Sequence, residues 1–175
     1  MCLIPNPVLA FVSREFKEFS FYPKIVRYEY PKKDAYDAES IAYFNHDRKI
    51  YIVRKDHGQK HQLFRISQDQ YSLNKAEYIC SFRGIEEGHV VTSADIHWNE
   101  NFMLLRTYNP SKTHLDSALY EYSFKKIKDV CRGLPIRLEN ATEGQGEAVA
   151  YNYFDGGVVH ISEGYKPYLY KIGCL

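Results

Sequence analysis

The sequence lacks the features that mark membrane proteins and nucleic-acid-binding proteins. No apolar segment approaches the length of about 18 residues that indicates a transmembrane helix. Lysine and arginine together number 23 against 22 aspartates and glutamates, so the net charge is only +1. A balanced charge offers little attraction to nucleic acid or to an anionic membrane surface. We therefore expect no nucleic-acid partner and no membrane span.

A secretory signal is also lacking at the N-terminus. The first residues contain a short apolar run with no basic region ahead of it, which is unlike a signal peptide. As written, the chain is expected to be cytoplasmic. If the true N-terminus lies upstream of Met1, an exported protein is expected instead.

Cysteine is sparse, and Cys2, Cys80, Cys131 and Cys174 stand far apart without a Cys-x-x-Cys pair. This spacing predicts neither a zinc site nor a disulfide framework, and the simplest expectation is four buried thiols. Histidine pairs with metal-binding spacing, glycine-rich phosphate loops and a Gly-x-Ser-x-Gly elbow are missing as well. No residue stands out as a nucleophile, and the sequence leaves open whether the protein is an enzyme.

Aromatic residues are plentiful, with 16 tyrosines and 10 phenylalanines in 175 residues. Aromatic and β-branched side chains favour strands, and helical periodicity is almost absent. A chain of this length can bury one substantial core, so a single domain is expected.

An internal repeat organises these strands. The stretch from Asp37 to Lys55 recurs as GEAVAYNYFDGGVVHISEG in residues 146–164. A weaker copy in residues 93–108 places Ile96, His97 and Trp98 opposite the Ile-Ala-Tyr run of the first copy. The copies are spaced by about 54 residues, which is typical of arrays, solenoids and propellers.

Each copy reads as a strand, a turn rich in Asn, Asp or Gly, a second strand, a polar loop and a third strand. A fourth strand follows in the first two copies. Four antiparallel strands in about 54 residues are typical of a propeller blade. The predicted fold is therefore all-β: antiparallel four-stranded blades of an incomplete β-propeller, about three blades in an open arc.

The whole chain, 1–175, is expected to form this one partial domain. Residues 1–36 would end a preceding blade, with strands at 8–16 and 19–31. Residues 37–89 and 90–144 would each form a blade, and 145–175 a partial one. Closed propellers use about four to eight blades, so a homodimer or a missing N-terminal half is expected to complete the ring.

Three short motifs carry a resemblance to a known group of proteins. At Asp37-Ala38-Glu39, at residues 146–151 and at residues 160–164 the sequence resembles bacterial β-propellers of the phytase-like or esterase-like kind. Lys55 and Glu163 occupy the position that closes the second strand, and residues 105–108 occupy it in the middle copy. The middle copy departs from the pattern, because it has Ala94-Asp95 where the others have glutamate.

The candidate site consists of acidic residues. The predicted innermost strands begin at or near Asp37, Glu39, Asp95 and Glu147. A propeller would gather these residues at one mouth of its channel. The resemblance implies that such carboxylates could hold Ca²⁺. The alternative is structural pairing with Lys55 or Arg106 of a neighbouring blade. The predicted ligand-binding set is Glu39, Lys55, Arg106, Glu147 and Glu163.

Three functions remain open. The first is a binding or scaffold module that engages an unidentified protein or small-molecule ligand through loops at the channel mouth. The second, implied by the resemblance, is a calcium-dependent phytase-like phosphoesterase. The third is a lipocalin-like ligand-binding barrel, although the central Trp98 and the strand-like C-terminus do not fit the lipocalin pattern.

Overall fold

The computed structural model describes residues 25–33, 36–57, 60–69, 71–112, 116–138, 145–153, 156–163 and 169–172. Within them the regular secondary structure is β-strand apart from two short 3-10 turns, at Pro31–Lys33 and Ile127–Arg132. None of the helical segments in these ranges has the length or apolar character needed to cross a lipid bilayer. The all-β prediction is confirmed, and the predicted strand at 8–16 lies outside the described residues.

The first sheet has four antiparallel strands in the order β2, β3, β4 and β6, with β5 lying outside it. Their bounds are Ser40–Phe44, Lys49–Val53, Gln62–Ile66 and Glu77–Ser81, and β5 is Leu73–Lys75. Arg48 adopts the left-handed conformation (φ 55°) in the first hairpin. Asp47 closes that turn, because its carboxylate accepts the backbone N–H of Lys49 at 3.0 Å and the Tyr51 hydroxyl at 2.6 Å.

The second sheet is again antiparallel, with strands β7 to β10 side by side in chain order. The strands are Val90–Ile96, Phe102–Tyr108, Ser117–Ser123 and Ile136–Leu138. The prediction that Ile96, His97 and Trp98 form the first strand here was wrong. Ile96 ends the strand, and the next residues turn back, since the N–H of His97 donates to the carbonyl of Phe102 at 3.0 Å.

The third sheet has three antiparallel strands, β11 (Gln145–Asn152), β12 (Gly157–Glu163) and β13 (Leu169–Ile172). The N-terminal strand β1 (Arg27–Glu29) pairs in parallel with β5. The assignment of residues 1–36 to the end of a preceding blade stays a prediction, since residues 1–24 lie outside the described part. The described part of this segment packs on the first sheet.

The sheets pack face to face in chain order. One core cluster joins the first and second sheets through side chains such as Phe44, Tyr51, Ile96 and Met103. A second cluster joins the second and third sheets, and a third covers the other face of the first sheet with residues of the N-terminal segment. The strands of the described residues thus divide among separate sheets, none of which closes on itself. A lipocalin-like barrel gains no support from this arrangement.

A disulfide links the first two sheets. Cys80 in β6 is bonded to Cys131 in the 3-10 turn that follows β9. The expectation of four free thiols was therefore wrong. The sulfurs meet because the last strand of one sheet lies beside a turn of the next, a proximity that the sequence spacing does not reveal. Cys2 and Cys174 lie outside the described residues.

Candidate functional site

The first sheet contributes an ion pair beside the start of strand β2. The backbone N–H of Lys55 donates to the carbonyl of Asp37 at 2.8 Å, and this bond extends the hairpin of β2 and β3. The Lys55 ammonium then reaches the carboxylate of Glu39 at 2.8 Å. Burial lowers the pKa of Lys55, but the hydrogen bond and charge of Glu39 outweigh this and raise it.

The second and third sheets bring further side chains to this ion pair. The ring of Tyr108, at the end of β8, lies 5.6 Å from the Lys55 ammonium. The pKa of Glu147 is raised by burial and then by the charges of Glu39 and Glu163, whereas Lys55 opposes the rise. These five residues, Glu39, Lys55, Tyr108, Glu147 and Glu163, are called the mouth cluster below. The first and third sheets therefore place charged groups within electrostatic reach of one another, and the second sheet adds the Tyr108 ring.

A β-bulge positions Glu147. The pairing of β11 with β12 shifts register between Gly146 and Ala148, so that Glu147 is the extra residue. The same shift occurs in β7 between Val91 and Ser93. Bulges re-aim a side chain at the end of a strand, and this one separates Glu147 from the regular alternation of the strand.

Arg106 lies fully buried beneath this bulge. Its Nη2 donates to the hydroxyl of Ser162 at 3.0 Å, while its Nε and Nη1 have no hydrogen-bond acceptor among the described residues. Burial lowers the pKa of Arg106 to about 10, and the charge of Glu147 acts in the opposite direction. A Cβ on Gly146 would overlap Arg106 Nε, so any larger residue there would require the buried guanidinium to move.

Asp95 does not belong to this site. It is the penultimate residue of β7, at the opposite end of the strand from the bulge, so its predicted position at a strand start was wrong. Its carboxylate accepts the N–H groups of Ile96 and Tyr151, each at 2.9 Å. Burial raises the pKa of Asp95 to about 6, although both hydrogen bonds oppose this. It joins the second sheet to the third.

The mouth cluster fits a cation only in part. Glu39, Glu147 and Glu163 could supply the oxygen ligands that Ca²⁺ prefers. Lys55, however, already neutralises Glu39 at 2.8 Å, and the Arg106 charge acts on Glu147. Calcium would have to displace the Lys55 ammonium. Of the predicted calcium ligands, Glu39 and Glu147 therefore lie in the mouth cluster and Asp95 does not. Glu163 is a further carboxylate of the cluster, and Asp37 is an exposed residue beside it.

A second polar cluster was missed by the sequence reasoning. Glu86, His89 and Asp116 offer one ligand atom each, all within 4.8 Å of one another. His89 begins no histidine motif, and Asp116 comes from a distant loop just before β9. The local signal was the spacing Glu86-x-x-His89, which alone is too common to single out a site.

Comparisons with known proteins add no identification. A scan against protein-family models finds no match, and a search of curated proteins finds none either. The function must therefore be argued from the geometry of the chain itself.

Proposed function

We propose that this chain forms successive blades of a β-propeller and acts as a binding module, which engages a basic group of a partner at the mouth cluster. The observation that carries the proposal is the arrangement around Glu147 of the third sheet. Its carboxylate interacts with the Glu39–Lys55 ion pair of the first sheet and with Glu163 of its own sheet.

The exposed face of the third sheet supports the propeller. In the first sheet the cross-strand pair Ala42 and Tyr51 is buried against the second sheet. The corresponding pair in the third sheet is Ala150 and Val159, and Ala150 is exposed while Val159 is half-buried. Ile161, one pair further along this face, is 36% exposed. Because the second sheet covers the equivalent apolar face of the first sheet, we expect a further blade to cover this face of the third sheet.

The other end of the stack shows the complementary face. Ile41 and Tyr43 of the first sheet remain 48% and 37% exposed. By hairpin register they correspond to Ala94 and Ile96, which are buried between the first two sheets. The N-terminal segment covers the part of this first-sheet face around Ile52, so a second copy stacked head to tail would meet the uncovered part at Ile41 and Tyr43. A preceding blade from a longer protein would cover the first-sheet face instead.

The accessible charge at the mouth is negative, which favours a basic ligand. The Lys55 side chain is only 11% exposed, whereas that of Glu39 is 38% exposed and Glu163 is exposed as well. The Tyr108 ring adds a surface to which cations are attracted. A lysine or arginine side chain of a protein partner would meet carboxylates before it met the buried ammonium.

The disulfide between Cys80 and Cys131 favours an oxidising compartment, in keeping with an exported protein.

A peptide titration tests this binding role. Backbone amide NMR spectra are recorded while a short lysine- and arginine-containing peptide is added, with a glutamate-containing peptide as the ligand control. We expect shifts confined to the mouth cluster, weaker in Glu147→Gln and Glu163→Gln and weaker at high salt. Glu77→Gln is the matched variant, because Glu77 is an exposed carboxylate paired with Arg65 elsewhere. Equal loss in Glu77→Gln, or no shift at the mouth, would refute the proposal.

The second candidate is calcium-dependent phosphoester chemistry. The charges of Glu39 and Glu163 repel that of Glu147, and a bound calcium ion would relieve this repulsion. If Ca²⁺ binds there, it should raise the melting temperature through linkage. The effect should be larger in Lys55→Met, which removes the competing ammonium, and absent in Glu147→Gln. A melting temperature that calcium leaves unchanged in Lys55→Met would remove this candidate and leave the binding module.

A further inference from the structure

The imidazole of His89 is oriented by a buried hydroxyl. His89 Nδ1 lies 2.9 Å from the hydroxyl of Thr107, and that hydroxyl lies 3.3 Å from the carbonyl of Ala118. A hydroxyl can accept from Nδ1 while it donates to this carbonyl, and that arrangement leaves a lone pair on Nε2 of the neutral ring. A metal ion on Nε2 requires this tautomer.

The Nε2 atom of His89 faces two carboxylates. It lies 3.4 Å from an oxygen of Glu86 and 3.3 Å from an oxygen of Asp116. The His89 side chain is fully buried, and its Nε2 makes no hydrogen bond of good geometry among the described residues. Two anionic oxygens this close to Nε2 require either a proton on that nitrogen or a metal ion between the three atoms.

We propose that Glu86, His89 and Asp116 bind a divalent transition-metal ion of the zinc class. Zinc binds imidazole nitrogen and carboxylate oxygen at about 2.0 to 2.2 Å, so tetrahedral ligands are separated by about 3.3 Å. The two nitrogen-to-oxygen distances at His89 match this separation. The set of three ligand atoms spans up to 4.8 Å, so a bound ion would draw the two carboxylate oxygens together. Thr107 supplies the outer hydrogen bond that orients a metal-binding histidine. Three protein ligands leave one coordination position for water.

Backbone hydrogen bonds anchor the residues that carry the ligand atoms. The N–H of His89 donates to the carbonyl of Glu86 at 3.2 Å, and the N–H of Asn109 donates to the carbonyl of Asp116 at 2.8 Å. Gly88 adopts a left-handed conformation (φ +81°), and a Cβ there would stand 2.8 Å from the Asn109 side chain. The Glu86 loop therefore packs against the loop that ends at Asp116.

Two competing cations are loosely held. Lys112 pairs with the same Asp116 oxygen that faces His89, and Arg137 contacts the other oxygen of Glu86 at 2.8 Å. The side chains of Lys112 and Arg137 are 61% and 52% exposed. Exposed ion pairs of this kind change an equilibrium by less than about tenfold. A metal ion can displace Lys112 and leave Arg137 in place.

Zinc titration of the full chain tests the proposal. The protein is first treated with a chelator, and Cys2→Ser and Cys174→Ser remove competing thiols. Calorimetry should then give one zinc ion per chain with a Kd of about 10 μM or tighter. Glu86→Gln and Asp116→Asn should each weaken binding at least tenfold, whereas Lys112→Met should strengthen it. Glu77→Gln, a surface carboxylate outside the site, should leave the Kd unchanged.

The nitrogen resonances of His89 separate the metal from a proton. On zinc binding, the ¹⁵N signal of Nε2 should shift while Nδ1 keeps its proton. The proposal is overturned if the folded protein binds no zinc, because a proton on Nε2 then fills the position. It is equally overturned if zinc binds but Glu86→Gln and Asp116→Asn leave the affinity intact. Calcium titration at the mouth cluster is a separate experiment, so the two sites can fail independently.

Discussion

The disulfide between the first two sheets provides the largest expected stability effect. Cys80 and Cys131 are separated by 51 residues in sequence. In the chain-entropy model a closed loop of this length restricts the unfolded chain by about 4 kcal/mol at 25 °C. For a protein of this size such a loss lowers the melting temperature by about 10 °C. Reduction, or the double substitution of Cys80→Ala and Cys131→Ala, should therefore destabilise the protein by this amount.

Urea unfolding of the oxidised and reduced protein measures the effect. Thiol counting under denaturing conditions establishes the bond first, and a Cys2→Ser, Cys174→Ser background keeps other thiols from exchanging with it. The single variants Cys80→Ala and Cys131→Ala should each resemble the double variant, because either one removes the bond. Additive losses from the two single variants would instead report packing alone.

The reasoning is refuted if denaturing thiol counts find Cys80 and Cys131 free in protein prepared without reductant. It is also refuted if the reduced and oxidised forms unfold at the same urea concentration. Either result would mean that β6 and the 3-10 turn after β9 are not held together as described.

Three further predictions concern single side chains. Gly146→Ala should lower the free energy of unfolding by about 1 to 3 kcal/mol in urea unfolding, because its Cβ would overlap the buried Arg106 guanidinium; an effect no larger than that of Gly133→Ala, whose Cβ has room, would contradict this. Burial lowers the pKa of His61 to about 4, so as the pH falls from 6.5 towards 4 only the unfolded chain gains its proton. Unfolding at pH 7 and 4.5 should show an acid-side loss of about 2 kcal/mol that His61→Leu does not share. Burial raises the pKa of Asp95 to about 6, so its contribution to stability falls as the pH rises from 4 to 7. Asp95→Asn should abolish this pH dependence in the same assay, and an unchanged pH dependence would mean that the Asp95 carboxyl is exposed to water.

The repeat predicted the strands well because hairpins are local. Alternating apolar residues and turn residues were enough to predict the strands of the first unit. They also predicted the strands that follow the turn in the second and third units. The first strand of the second unit was misplaced, because Ile96 was aligned with Ile41 although hairpin register matches it to Tyr43. The same two-residue shift put Asp95 at the wrong end of its strand.

The contacts between sheets could not be predicted from sequence. Glu39 and Glu147 were expected to converge because they occupy equivalent positions in a repeat, and the structure places both in the mouth cluster. No repeat position indicates that Arg106 lies under Gly146 or that Cys80 meets Cys131. The Glu86, His89 and Asp116 cluster likewise joins two loops whose proximity depends on tertiary packing.

A carboxyl ¹³C NMR titration of Glu147 tests the central claim most directly, since that claim is the convergence of charges from separate sheets. The pKa of Glu147 should lie above its ordinary value, fall in Glu39→Gln and rise in Lys55→Met. Both substitutions are on the first sheet, whereas Glu147 is on the third. A Glu147 pKa that neither substitution changes would contradict the account.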